Sequence, residues 1–240
     1  MLMNSLIILA GSVAIAGSAD RMPRTAYDGA AVDLKTRRPV YTERHQETVV
    51  NGVRVGLRST YVGPDGTVWA TRRVDFSKNP MVPDFEFEDY RSGYRLGAES
   101  RGGDSVRFFE RDGATAPLVE KVVRIPGTAV VDAGFNNFVQ LNWETIASGR
   151  RMYFNFGAPF AMDYYGFRVY KDGERTEGNR RFMTVKLDID NFVIRLFLDP
   201  IVLTYDMDAR RLVAYEGISN ILDDEGESYV VRISYDPYGP

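Results

Sequence analysis

Turn signals recur along this chain at roughly the spacing of β-strands: Asn51-Gly52, Gly63-Pro64-Asp65-Gly66, Ser92-Gly93, Gly102-Gly103-Asp104 and Asp112-Gly113. With β-branched and aromatic runs between them, such punctuation dictates antiparallel hairpins. Asn51-Gly52 is the sharpest signal, because both residues accept the positive φ of a type I′ turn; it separates TERHQETVV from VRVGLRSTYV. Alternation agrees. In Asp84–Tyr90, Phe85 and Phe87 fall on one face while Glu86 and Glu88 fall on the other. In TVWATRRVDF, Val68, Ala70, Arg72, Val74 and Phe76 share a face, with Trp69, Thr71 and Arg73 opposite. Further strands are expected near 150–157, 163–171, 180–188, 200–206, 211–219 and 228–236. No repeat of fixed period is present, which argues against a propeller or solenoid.

One stretch breaks the two-residue period. In DAGFNNFVQLNWETI, residues 132–146, the side chains Phe135, Phe138, Val139, Trp143 and Ile146 recur as one face of a helix. Asp132 is placed to cap it and Gly149 to end it. A shorter helix is expected over Asn191–Leu198, where Phe192 and Leu196, and Val193 and Phe197, stand four apart before Pro200. The expected fold is therefore mainly β: a curved antiparallel sheet, an incomplete barrel, wrapped around one amphipathic helix and a short second helix. The helix covers the concave apolar face that such a sheet would otherwise expose.

Composition narrows the function. The 240 residues are 44% hydrophobic and 12% aromatic, enough for a large core, and a net charge of −3 gives no footprint for nucleic acid. There is no cysteine and one histidine. Disulfides, thiol catalysis and sulfur-ligated zinc are thereby excluded. At the N-terminus an apolar run, Leu6 to Ala16, leads into Gly17, Ser18 and Ala19, the pattern of a secretory signal; it is shorter than the roughly 20 residues that span a bilayer. Its first five residues lack lysine and arginine, and Ser12 stands where a lipoprotein would need cysteine. The expected organisation is a signal peptide over 1–19, a flexible leader over 20–39, punctuated by Pro23, Gly29 and Pro39, and a single β-rich domain over 40–240. The processed protein is then periplasmic and not an integral membrane protein.

This layout resembles the lipoprotein-carrier (LolA/LolB-like) fold, an exported chain whose antiparallel sheet curls around helical plugs. It is also similar to a group of bacterial exported proteins of like length through DAGFNNFVQLNWETI, NFVIRLFLDPIVLTYD and YEGISNI, within 130–222. The resemblance implies a concave apolar surface that accepts acyl chains.

Candidate chemistry is sparse. His45, in ERHQE, reads as a solvated strand residue, and no serine lies in a G-x-S-x-G elbow. Paired carboxylates, Asp188 with Asp190, Glu86 with Glu88, and Asp223, Asp224 and Glu225, fit a hydrolase in principle, but acidic outer faces and turn tips explain them equally. No calcium loop or phosphate loop is present. No catalytic residue, metal or cofactor is therefore expected. What stands out is MYFNFGAPFAMDYYGFRVY, residues 152–170, with eight aromatic side chains. Its strands follow the helix directly, so Phe135, Phe138 and Trp143 should meet Phe154, Phe156, Tyr165 and Phe167, with Arg168 and nearby tyrosines at a mouth. The expected partner is a hydrophobic small molecule or lipid held in an apolar cavity. The alternatives are an envelope adaptor with the same core filled solid, docking on another envelope protein, and a carboxylate hydrolase.

Overall fold

The computed structural model describes residues 23–190 and 200–236. The signal-like segment 1–19 and the helix expected over Asn191–Leu198 lie outside the described residues. The first half of the chain forms β1 (Pro23–Asp33), β2 (Pro39–Val50), β3 (Val53–Val62), β4 (Val68–Asp75), β5 (Asp84–Asp89), β6 (Arg95–Ser100), β7 (Ser105–Arg111) and β8 (Val119–Arg124). After β9 (Ala129–Val131) come two short helices, α1 (Gly134–Leu141) and α2 (Trp143–Ala147). Then follow β10 (Met152–Ala158), a 3-10 turn over Pro159–Ala161, β11 (Asp163–Glu177), β12 (Arg180–Ile189), β13 (Ile201–Asp206), β14 (Arg211–Leu222) and β15 (Ser228–Asp236).

All fifteen described strands belong to one sheet, ordered β8-β7-β6-β5-β4-β3-β2-β1-β15-β14-β13-β12-β11-β10-β9. Every pairing is antiparallel except that of β9 with β10. Laid flat, strands about 4.8 Å apart would make this sheet roughly 65 Å wide. Yet its two edge strands, β8 and β9, are joined by residues 125–128 alone, a link that reaches at most about 18 Å. The sheet must therefore roll up. It does not close: β8 and β9 are not hydrogen-bonded neighbours.

The rolled edges overlap. β9 is buried on both faces, Val130 against Phe135, Phe138 and Phe154, and Ala129 and Val131 against Val74, Phe85, Val106 and Phe108. Gly157 permits this approach, since a Cβ there would lie 2.7 Å from Val131 Cγ2 and 2.8 Å from Phe108 Cζ. A third cluster, with Tyr41, Tyr61, Phe87, Ile221 and Ile233, fills the middle of the roll.

The strand expectations for 150–236 agree with β10 to β15, and Asn51 and Gly52 adopt φ of 51° and 80° as an I′ turn requires. Two expectations need correction. The supposed leader, 20–39, contains β1, which pairs with β2 on one side and β15 on the other. Its inward positions Tyr27, Gly29 and Ala31 are mostly small because the Tyr235 ring lies over them; a Cβ on Gly29 would be 2.6 Å from Tyr235 Cε1. Small residues of this kind leave no apolar period to read. Asp132, expected as a helix cap, makes no side-chain capping bond, only its carbonyl accepting from Phe135 N–H at 3.1 Å; α1 starts at Gly134 behind Ala133, and Asp132 takes φ 44°. The helix also breaks at Asn142 (φ −106°, ψ 19°) into two pieces. Gly149, at φ 86°, ends the segment as expected.

Candidate functional site

The inward face of β1 to β4 carries an unusual row. Cross-strand register lines up Tyr27 with His45, His45 with Ser59, and Ser59 with Arg72. Directly opposed side chains in a sheet share a face, so these four project together. The neighbouring row places Tyr235 beside Gly29 and Gly29 beside Glu43. Period two then explains the exposed residues between: Arg44 and Gln46 point outward while Glu43 and His45 point in.

His45 is 3% exposed, Glu43 5% and Ser59 0%. The expectation that the chain's single histidine is a solvated strand residue is therefore wrong. Its Nε2 lies 2.8 Å from Glu43 Oε2 and its Nδ1 2.8 Å from Ser59 Oγ. In a neutral imidazole the nitrogen facing the carboxylate carries the proton, and Nδ1 accepts from the serine hydroxyl. The Tyr235 hydroxyl donates to the same Glu43 oxygen at 3.1 Å, and the Tyr27 ring stacks on the imidazole with centroids 4.7 Å apart. Glu43 and His45 are thus held from several sides. The chain of Ser59, His45 and Glu43 resembles a nucleophile relay in connectivity, but Ser59 is wholly buried in mid-strand and contacts Nδ1.

Arg72 continues the row. Its Nη2 is 3.5 Å from Ser59 Oγ and its Nη1 3.3 Å from Asp132 Oδ1, which ties β4 to the start of the helical segment. Burial works against the guanidinium charge, but Asp132, then Tyr61 and Glu43, outweigh it and raise the Arg72 pKa. Burial pushes the Tyr27 hydroxyl up to about 12, helped by the Glu47 carboxylate. Tyr61, Tyr215 and Tyr235 are raised as well, chiefly by burial, so this ring of phenols is held neutral. Two buried atoms in the cluster have no hydrogen-bond partner, Arg72 Nε and Asp132 Oδ2.

The aromatic residues expected to form the site divide into two groups. Phe135, Phe138, Trp143 and Phe154 are buried in one cluster with Val169, Met183, Val185, Leu203 and Tyr205, and Phe156 and Phe167 pack against it half-buried. Rings touch rings: Phe138 to Phe154 at 4.8 Å, Phe156 to Phe167 at 5.5 Å, and Trp143 edge-on to Tyr205 at 5.7 Å. Tyr165 is 40% exposed at the rim. Arg168 is not at a mouth of this interior. It alternates with Phe167 and Val169, so it lies on the other face of β11, gripping Asp188 through Nε–Oδ1 at 2.5 Å and Nη2–Oδ2 at 3.1 Å. Tyr170 donates to the same carboxylate at 3.4 Å.

Three of the other acidic candidates are engaged as well. Glu86 pairs with Arg95, Glu88 with Arg111, and Asp223 accepts from backbone amides of its own turn. Among the described residues no three histidine, aspartate or glutamate side chains converge as metal ligands, and no helix is long and apolar enough to cross a membrane. Compared with known proteins, the sequence matches no family model and no curated protein.

The polar row escaped the sequence because its members look solvated one at a time. The signal that could have found it is the spacing Tyr41-x-Glu43-x-His45, which puts an aromatic, an acid and the only imidazole on one strand face.

Proposed function

We propose that this is a non-catalytic, exported binding protein of the lipoprotein-carrier type, in which the rolled sheet wraps the helical segment 132–148 and takes a lipid-like ligand into its interior. One observation carries this reading: the interior lining changes from polar to apolar within a few residues of the same segment. Asp132 belongs to the Arg72 cluster, and Phe135 to the aromatic cluster. An amphiphile matches that profile along its length.

In the described state the aromatic rings fill the space against each other, so uptake requires the helical segment to lift. Few polar bonds hold it. On one side are Arg72 to Asp132, Arg54 to Asn137 at 2.6 Å and Asn137 to the Pro80 carbonyl at 2.6 Å. On the other are Tyr205 to Asn136 at 3.2 Å, Gln140 to the Arg210 carbonyl at 2.7 Å and the exposed ion pair of Arg210 with Glu144 at 2.5 Å. Neither helix has a side-chain N-cap bond, and each is too short to persist alone.

The test uses Trp143 as reporter, after Trp69→Phe removes the other tryptophan. Titration with a bromine-labelled lipid should quench Trp143 saturably, and native mass spectrometry of protein purified from the periplasm should show retained lipid. Protein that carries no lipid and shows no quenching refutes the reading. The adaptor alternative is favoured by one feature, the free edge strand β8, whose Val119 and Val122 are 55% and 58% exposed. In that case crosslinking at β8 in cells captures one envelope protein while the lipid titration stays blank.

A further inference from the structure

β8 forms one margin of the sheet, and an unpaired margin invites another strand unless a bulge or a proline within it prevents pairing. β8 has neither: it pairs with β7 in unbroken register over Val119–Arg124, and Leu118, Val119 and Val122 are 44%, 55% and 58% exposed. The register also tells which backbone groups are free. Ile125 N–H donates to the Asp104 carbonyl at 2.7 Å, so Ile125, Val123, Lys121 and Val119 turn their amides and carbonyls towards β7. Those of Glu120, Val122 and Arg124 point the other way, where no described strand pairs with them. Pro117 and Pro126, which have no N–H to offer, confine this open edge to the residues between them.

We propose that β8 pairs antiparallel with β8 of a second copy of this chain, about a two-fold axis through Val122, joining two rolled sheets edge to edge. Charges usually guard a strand edge against such pairing; here they complement themselves. Centred on Val122, the pairing sets Glu120 opposite Arg124 of the second copy, and Arg124 opposite its Glu120, with Val122 facing Val122 and Lys121 facing Val123. The free amides and carbonyls of the three outward residues then meet one another as hydrogen-bonded pairs. Other centres lose this match. An axis through Glu120 opposes two glutamates, one through Lys121 two lysines and one through Arg124 two arginines, while one through Val123 opposes no unlike charges. The ion pairs already present extend across the seam. Glu120 holds Arg107 at 2.5 Å, Arg107 holds Glu99 at 2.9 Å, and Arg124 holds Asp104 at 2.6 Å. Across the axis these make one row alternating in sign: Glu99, Arg107 and Glu120, then Arg124 and Asp104 of the second copy. The assembly does not depend on the carrier reading.

The chain has no cysteine, so Val122→Cys introduces a single thiol on the axis, where paired Cα atoms stand about 5.5 Å apart, within reach of a disulfide. Mild oxidation of the purified variant should give a covalent dimer. Glu120→Cys is the control: its thiol would lie four residues along the strand from its counterpart, about 14 Å away, and should not crosslink. The seam is one strand wide, so the unmodified protein should dimerise weakly in sedimentation equilibrium, with a Kd on the order of 10 μM. Glu120→Arg sets arginine opposite arginine twice and should raise that Kd about tenfold or more; adding Arg124→Glu restores unlike charges and should recover part of the loss. A parent protein still monomeric at about 200 μM, a dimer indifferent to Glu120→Arg, or a double variant no tighter than the single one overturns the proposal. So does a Val122→Cys protein that fails to crosslink, crosslinks no better than Glu120→Cys, or in cells joins only a different protein.

Discussion

Gly134 opens α1, and on local grounds alanine there should stabilise the helix by up to about 1 kcal/mol. The packing predicts the opposite. A Cβ at Gly134 would lie 2.1 Å from the Met81 carbonyl oxygen, 2.6 Å from its carbon and 3.0 Å from Met81 Cα. These are backbone atoms, so no side-chain rotation relieves the clash, and ordinary contact needs roughly 3.5 Å. The same Met81 oxygen accepts from Val131 N–H at 2.9 Å, which means that moving the helix away strains or breaks that bond. Overpacking costs about 1 to 3 kcal/mol and a lost hydrogen bond about 0.5 to 1.5 kcal/mol, against the helix gain of about 1 kcal/mol. Gly134→Ala should therefore destabilise by about 1 to 3 kcal/mol. Urea unfolding followed by circular dichroism reads this as a lower midpoint at unchanged slope. Gly127→Ala is the control, because a Cβ there meets nothing within 4 Å, and it should be neutral. A Gly134→Ala protein as stable as the parent would show that the helical segment is not seated against Met81, and the proposed wrapping of the sheet around it would fail too.

Gly157→Ala should destabilise by about 1 to 3 kcal/mol, since the new methyl group is driven between Val131 and Phe108 where the sheet edges overlap; an unaffected melting temperature would contradict the overlap. Asp188→Asn should lower stability by about 3 kcal/mol, because it strips the partner from a largely buried Arg168. A hydrolase built on Asp188 would instead lose activity at unchanged stability. Tyr27 has its folded pKa raised to about 12 from an unfolded value near 10. Its contribution to stability is therefore complete below about pH 10 and lost as the pH rises towards 12. Urea midpoints measured across that range, alongside tyrosinate absorbance, should fall together; ionisation of the buried phenols with no loss of stability would refute their burial.

The hairpins were legible because each turn is encoded within four residues, and Asn51-Gly52 shows it best. What lay beyond the sequence is set by contacts between distant segments. A simple hairpin from Val50 and Val53 would bring Arg58 opposite His45, but the register shifts between Thr48 and Val49 and brings Ser59 there instead. One residue of slip exchanges the two faces of a strand. That bulge decides whether His45 meets a serine or a surface arginine, and no local pattern announces it. β1 was hidden for a related reason, its inward small residues making sense only beneath Tyr235, more than 200 positions away. The aromatic cluster was foreseen because both its parts carry their own periodicity. Arg168 was placed by nearness to aromatic neighbours, although strand parity already separates it from Phe167.

The pairing of β1 with β15 sets both ends of the described chain side by side in mid-sheet, whereas the zigzag of strands is interrupted between β8 and β9. In effect the molecule is a loop of hairpins cut open away from its margins. Joining Asp236 to Pro23 by a short flexible linker and beginning the polypeptide at Ala129 would preserve every strand neighbour. The one long-range seam would then become an ordinary hairpin, and such a circular permutant, with its lower contact order, should fold faster than the natural chain.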